Sequence, residues 1–542
     1  MRNPTIRKNY LALRLFVIAL FTLPLAFVMV RAQEIKTIRN NVFWDTFDGK
    51  PLYSQGGGIF KFKDPATGRD AYYWYGNHYK EAETYRDNPS KTIDRNTIVG
   101  VSCYKSDDLK NWKDMGHVIT AKEISAGRRW AGWFGRLGVA YIEEIKHYAL
   151  FAQHNNSMMV ALAKSPTGPF EVHKHIDMKP VIGTSNTGDQ TVFTDEDTGK
   201  DYLIYSYGKG RHKGYVSEIG VLEDGSVGLL NCVQVFKGQS REGNCMFKYK
   251  GKYYLCASNI YGWDSSYAYY LMSDSIYGPY MPVNNMLVMD GCEKDYAHVT
   301  QTGFFYTLRG TEQETVIYCG DRWANFAGNG LGYNQWVPLS FDGYKPYFNS
   351  LSEWELDHIT GRWTVGKGNN YVLNGSFEAD RRTIPNPVKP RQEFLLGWDT
   401  KVIKGNKVSL DNPQSPRLNH DNTEEERWIV IGEKSLCISD SIAFEREVSQ
   451  EVSSTPYVEL KDGNYVLTFK LRENGRFKRL LAVIESGGKK YQTDLTKIGS
   501  NDKWTSAQLN AFITGGKAKV SFYAKGKGMA QCLIDDISLV AY

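Results

Sequence analysis

Between residues 40 and 365, apolar and aromatic residues come in short runs separated by turn residues, and almost no stretch repeats at a helical period. The runs are rich in tyrosine, and each is followed by an outer strand or turn. Ala71-Tyr72-Tyr73-Trp74-Tyr75-Gly76 precedes Ser106-Asp107-Asp108-Leu109-Lys110-Asn111-Trp112, and Lys146-His147-Tyr148-Ala149-Leu150-Phe151 precedes Ala163-Lys164-Ser165-Pro166. Asp201-Tyr202-Leu203-Ile204-Tyr205-Ser206, Lys252-Tyr253-Tyr254-Leu255-Cys256-Ala257 and Thr315-Val316-Ile317-Tyr318-Cys319-Gly320 open three further units of the same kind. Five degenerate units spaced roughly 50 to 75 residues apart predict five blades of a β-propeller over residues 40–365, with a large β-sandwich as the alternative.

The tyrosine repeat stops near Gly366-Lys367-Gly368-Asn369-Asn370. A second unit, residues 371–542, opens on Asn374-Gly375-Ser376-Phe377-Glu378 and closes on the run from Gln531 to Val540. Between them, alternating stretches such as Asn464-Tyr465-Val466-Leu467-Thr468-Phe469-Lys470-Leu471 predict half-buried strands and a β-sandwich of jelly-roll type. The chain is thus predicted to be all-β.

Residues 1–32 stand apart. Arg2, Arg7, Lys8 and Arg14 precede or border an apolar run over residues 15–30, and Val30-Arg31-Ala32 places small residues at positions −3 and −1 before Gln33. That layout predicts a cleaved secretory signal peptide, so a secreted or periplasmic protein without a membrane span after cleavage. The alternative is an uncleaved anchor helix. These residues also explain the formal charge of +6: without them 61 basic residues face 60 acidic ones, which leaves no electrostatic footprint for nucleic acid. None of the eight cysteines forms a C-x-x-C pair, so zinc is not expected, and buried free thiols are.

A propeller brings the starts of its inner strands to one axis, so residues far apart in sequence converge there. Unit one begins with Gln55-Gly56-Gly57-Gly58 and no acid; the glycines serve either close approach of a ligand or a tight bend. Unit two enters with Phe134-Gly135-Arg136. Unit three enters with Gly188-Asp189-Gln190 and ends in Asp195-Glu196-Asp197, read as solvated turn acids. Unit four enters with Glu242-Gly243. Asp189 and Glu242 therefore hold matching positions, and two carboxylates at one axial pocket suggest paired acid/base chemistry of the glycosidase kind. Unit five carries His298, Gln301 and the pair Asp321-Arg322, read as a structural ion pair or as a binder of sugar hydroxyls. Trp263 and Trp323 are candidates for stacking on a sugar face.

Taken together, Gly56-Gly57-Gly58-Ile59, Tyr73-Trp74-Tyr75-Gly76, Asp107-Asp108-Leu109 with Asn111-Trp112, Gly188-Asp189-Gln190-Thr191 and Gly320-Asp321-Arg322-Trp323 resemble glycoside hydrolase family 43. This is a family of five-bladed, inverting exo-glycosidases, and the nearest likeness is to its exo-β-1,3-galactanase and galactosidase subgroup. The resemblance implies that Glu242 is the general acid and that Asp189 orients it and raises its pKa. It also implies that Gln301 substitutes for the blade-one aspartate base, whose position is here Gly56 beside Gln55. The subgroup's Glu-Arg-Pro entering blade two is here Gly135-Arg136-Leu137, so one sugar contact is missing while Arg136 survives as a substrate contact. Gln55, Gly56, Arg136, Trp263, His298, Asp321, Arg322 and Trp323 are the substrate-binding candidates.

The second unit resembles carbohydrate-binding sandwiches that often carry a structural Ca2+, with Glu378, Asp535 and Asp536 as its ligands here. No other cofactor is expected. The expected function is a secreted, monomeric exo-glycosidase releasing terminal galactose from β-1,3-galactan or arabinogalactan-type plant polysaccharide. The alternatives are a galactofuranosidase or α-L-arabinofuranosidase of the same fold, or a non-catalytic glycan-binding propeller.

Overall fold

The computed structural model describes residues 37–88, 97–126, 128–262, 264–324, 329–380, 395–407, 417–419, 432–498 and 502–542. The predicted signal peptide and Trp263 lie outside the described residues. Among the described residues, no helix is long and apolar enough to cross a membrane.

The chain is all-β. Its tyrosine-rich runs become the second strands of five antiparallel sheets that follow one another in sequence. Their leading strands are Gln55–Lys63, Phe134–Ile142, Thr187–Asp195, Glu242–Tyr249 and Gln301–Arg309. Four sheets have four strands and the third has five. The leading strands are buried over most of their length because each lies beside the leading strand of the next sheet, and that of sheet five lies beside that of sheet one. A strand covered on both faces has no solvent side to mark with a regular polar alternation. A three-stranded sheet joins Thr37–Arg39 to Glu353–Leu356 and Trp363–Val365.

All five leading strands carry a register shift at their first residues, between Gln55 and Gly58, Phe134 and Leu137, Thr187 and Gln190, Glu242 and Cys245, and Thr302 and Phe304. A bulge leaves a residue unpaired and re-aims its neighbours' side chains. Here Arg136 and Asp189 fall inside the unpaired gaps of their strands, and Glu242, paired with Ser258, stands at the edge of the gap in its own. Gly243 shows why glycine accompanies the acid: its φ is +64°, and a Cβ there would stand 2.5 Å from the carbonyl oxygen of Thr302.

The last 170 or so residues form two five-stranded antiparallel sheets around one apolar core that includes Leu467, Val520, Phe522 and Ile534. Strand Gly463–Glu473 alternates buried and open positions as its sequence predicts, and the final strand runs Gln531–Ala541. All eight cysteines are free; seven are buried and Cys232 is half-buried.

One turn reading is corrected. Asp195 is buried, not solvated: Lys248 from sheet four donates to it at 2.9 Å and the Tyr253 hydroxyl at 2.6 Å. Asp201 is also buried but faces no cation; burial pushes its carboxyl up to about 7, against bonds from Thr194 and the Tyr141 amide. The folded state thus favours protonated Asp201. Its stabilising contribution is full below the unfolded pKa near 3.8 and is lost as pH rises through 7. Asp201→Asn is expected to raise the melting temperature at pH 8 by a few degrees and leave it nearly unchanged at pH 3, which thermal unfolding at the two pH values checks.

Candidate active site

The bulged starts of the five leading strands surround a cavity of 310 Å³. Gly56, Arg136, Asp189, Glu242, Gln301 and Trp323 line it, as the sequence places them. So do Asn77, Trp133, Gln153 and Arg211, which the sequence does not single out. A larger cavity of 550 Å³ lies between the fifth sheet and the C-terminal strands, but it lacks both acids. The chemistry, not the size, marks the smaller one.

Arg136 is the hub. Its Nε donates to Asp189 Oδ2 at 3.1 Å, its Nη1 to Asp321 Oδ2 at 3.1 Å, and its Nη2 to Gln301 Oε1 at 2.7 Å. Gln301 passes the connection on, since its Nε2 donates to Glu242 Oε1 at 2.7 Å. On the other side, Arg211 Nη1 donates to Glu242 Oε2 at 2.5 Å and lies 3.1 Å from Asp189 Oδ1. The Gly243 amide completes the shell of Asp189 at 2.8 Å.

The two acids are driven apart. Burial alone would raise the Asp189 carboxyl, but Arg211, Arg136 and the Gly243 amide outweigh it and hold it below the usual carboxylate range. Glu242 goes the other way. Burial first, and then the negative charge of Asp189, push it up to about 7 against the pull of Arg211, Arg136 and Gln301. One carboxyl is thus ionised throughout the neutral range while its neighbour holds a proton up to about neutrality, which is the division of labour acid catalysis requires.

Several candidates sit elsewhere. Gln55 and Asp321 are buried behind the cavity wall: Gln55 Nε2 donates to the Arg322 carbonyl at 2.8 Å, and Asp321 Oδ1 accepts from the Gly56 amide at 3.2 Å. Asp321 and Arg322 do not pair with each other. Neighbours in a strand point to opposite faces, so Asp321 pairs with Arg136 while Arg322 reaches Glu378 at 3.2 Å. Arg322 and His298 line the larger cavity, and His298 Nδ1 lies 3.1 Å from Asp295 and from Ser350 Oγ. Of the expected calcium ligands, Asp535 and Asp536 lie near Glu378: burial first, and then neighbouring negative charge that includes Glu378, raises both carboxyls. Glu378 is held by Arg322 and by the amides of Glu433 and Lys434. Among the described residues no group of three or more acid, histidine or cysteine side chains could hold a metal.

Arg211 was hidden because it sits in the loop Gly208-Lys209-Gly210-Arg211, outside any strand start. It restrains the acid, so Arg211→Met is expected to move the alkaline limb of the pH–rate profile upward and to lower kcat about tenfold through loosened geometry. A pH–rate series on the variant checks both.

Unequal carboxyl pairs of this kind break glycosidic bonds. Residues 63–330 match the model of glycosyl hydrolases family 43, and the segment that carries the site belongs to that family. Among solved structures, an exo-β-1,3-galactanase from Clostridium thermocellum is similar over 93% of this chain and 100% of its own, at 18% identity and a TM-score of 0.52. An exo-β-1,3-galactanase from Phanerochaete chrysosporium, in complex with β-1,3-galactotriose, is similar over 92% of this chain and 100% of its own, at 17% identity and a TM-score of 0.50. At these identities the likeness is one of fold. A search of curated proteins returns no match.

Proposed function

We propose that the five sheets are the blades of a β-propeller followed by a β-sandwich, and that the protein is an exported, inverting exo-glycosidase. Its substrate on this reading is β-1,3-galactan or arabinogalactan-type plant polysaccharide, from which it removes terminal galactose. The observation that carries the reading is Glu242, raised to about 7 beside an ionised Asp189. Glu242 protonates the leaving oxygen. Asp189 orients and supports it, and Arg136 fixes Asp189. Gln301 acts as a positioning residue, since its two amide ends are committed to Arg136 and Glu242. Family membership supports inversion, and the structural neighbours that are exo-β-1,3-galactanases support the galactose assignment.

A second reading is favoured by Gly135, which stands where the resembled subgroup has a sugar-contacting glutamate. Loss of that contact suits a galactofuranosidase or an α-L-arabinofuranosidase. Product analysis decides between them. Incubation with β-1,3-galactobiose, followed by NMR of the first product formed, is expected to show α-galactose, the inverted anomer. Release of arabinose from an arabinofuranoside instead would select the second reading.

A further inference from the structure

Among the described residues, the cavity lining carries one buried side-chain acceptor without a hydrogen-bond partner. Asn77 lies in strand Asp70–Tyr79, opposite Gln55, and is 1% exposed. Its Nδ2 donates to the Gly135 carbonyl at 2.7 Å and to the Tyr79 hydroxyl at 2.9 Å. A backbone carbonyl only accepts, so the amide nitrogen must face it and the orientation of the side chain is settled. That leaves Asn77 Oδ1 buried without a hydrogen-bond partner. The other acceptors at the site are taken. Both oxygens of Glu242 and both of Asp189 receive donors, as does the side-chain oxygen of Gln301. Gln153 Oε1 receives the Arg136 amide. Buried polar groups are almost always paired, so a buried acceptor left without a partner on a residue that lines the cavity points to a ligand.

Trp133 supplies the complement. A Cβ added at Gly135 would fall 2.5 Å from Trp133 Cη2 and 2.7 Å from its Cζ2. The indole therefore covers the position from which a residue-135 side chain would project. It is held there through its backbone, whose amide donates to Asn155 Oδ1 at 3.0 Å and whose carbonyl accepts from the Asn155 amide at 2.9 Å. Trp133 is 38% exposed, and it borders the same cavity as Asn77. Asn77 also stands before Gly56, since a Cβ on that glycine would meet Asn77 Nδ2 at 3.4 Å.

We propose that Asn77 and Trp133 are the specificity-determining pair of the pocket, with Asn77 Oδ1 accepting an O–H and Trp133 taking the C–H face of the terminal sugar ring. This rests on the glycosidase reading above. The two residues orient the ring where a carboxylate at position 135 has no room. The O–H belongs to a sugar hydroxyl or to the attacking water, and the measurements separate these.

The test uses the full chain and compares Asn77→Ala, Asn77→Asp, Trp133→Ala and Trp133→Phe with the parent for melting temperature, kcat, KM and equilibrium binding of galactose, with arabinose as the second probe. Asn77→Ala is expected to weaken binding about 10- to 100-fold. Asn77→Asp keeps an acceptor but loses the bonds donated to the Gly135 carbonyl and to the Tyr79 hydroxyl, so it is expected to melt lower than the parent while binding within about fivefold of it. Trp133→Ala is expected to weaken binding about tenfold, and Trp133→Phe to recover most of it. If Asn77→Ala instead lowers kcat by the same factor with binding intact, the O–H is that of water. The proposal is overturned if Asn77→Asp loses as much as Asn77→Ala, which marks a structural donor, or if folded Asn77→Ala and Trp133→Ala match the parent in every constant. A parent that releases no sugar from any glycoside refutes the glycosidase reading itself, while sugar binding by the variants still decides on the pair.

Discussion

Replacing Glu242 with glutamine is expected to lower kcat by about 10²- to 10⁴-fold, the usual worth of a positioned general acid. Glutamine keeps the shape, and its one amide oxygen can accept from Arg211 or from Gln301, but it carries no transferable proton. KM is expected to change far less than kcat. In the parent enzyme the rate should fall as pH rises through about 7, because Glu242 then ionises. The sign of the stability effect is opposite. A carboxyl whose folded pKa lies above its unfolded value costs stability as pH rises from about 4.5 toward 7. Glu242→Gln should therefore be at least as stable as the parent at pH 8 while nearly inactive. Steady-state kinetics and thermal melting on the same preparation check both halves.

Arg136→Met carries the largest expected loss of stability, about 3–5 kcal/mol, because it breaks a buried ionic network by removing the cation alone. Asp189 and Asp321 would both be left in the interior, with Asp321 keeping only the Gly56 amide as its named donor and Asp189 keeping Arg211 and the Gly243 amide. The pKa consequences run upward. Without Arg136, Asp189 loses one of the two charges that hold it down, and Asp321, already raised by burial, rises further. The variant should be relatively more stable at low pH, where both carboxyls are protonated, and weakest above pH 7. Denaturant melts at pH 5 and pH 8 measure the difference.

Much of this arrangement is legible in the sequence. The five units stand out through their tyrosine-rich second strands, and Glu242-Gly243 and Gly188-Asp189 stand out because each sets an acid beside a glycine at a strand start. Other parts are set by pairings a linear reading does not contain. Asn77 lies in a second strand and reaches the site only because it stands opposite Gln55. Arg211 comes from a loop. Asp195 looks like a turn acid until Lys248 of the next sheet covers it. Asp321 and Arg322 look like a pair until strand alternation sends one to Arg136 and the other to Glu378. The Arg322–Glu378 contact also ties the site-bearing strand Glu314–Ala324 to the turns that open the C-terminal unit, which a composition shift near Gly366 does not foretell.

The central claim is that this pocket cleaves one terminal sugar using Glu242 as its acid. The most direct measurement is monosaccharide release from β-1,3-galactan, set beside aryl galactofuranoside and arabinofuranoside, by the parent and by Glu242→Gln. The account predicts galactose as the product from the polymer, released by the parent and reduced at least about a hundredfold in the variant. Equal release by both proteins, or no release from any of the three by a folded parent that still binds the polymer, would contradict it.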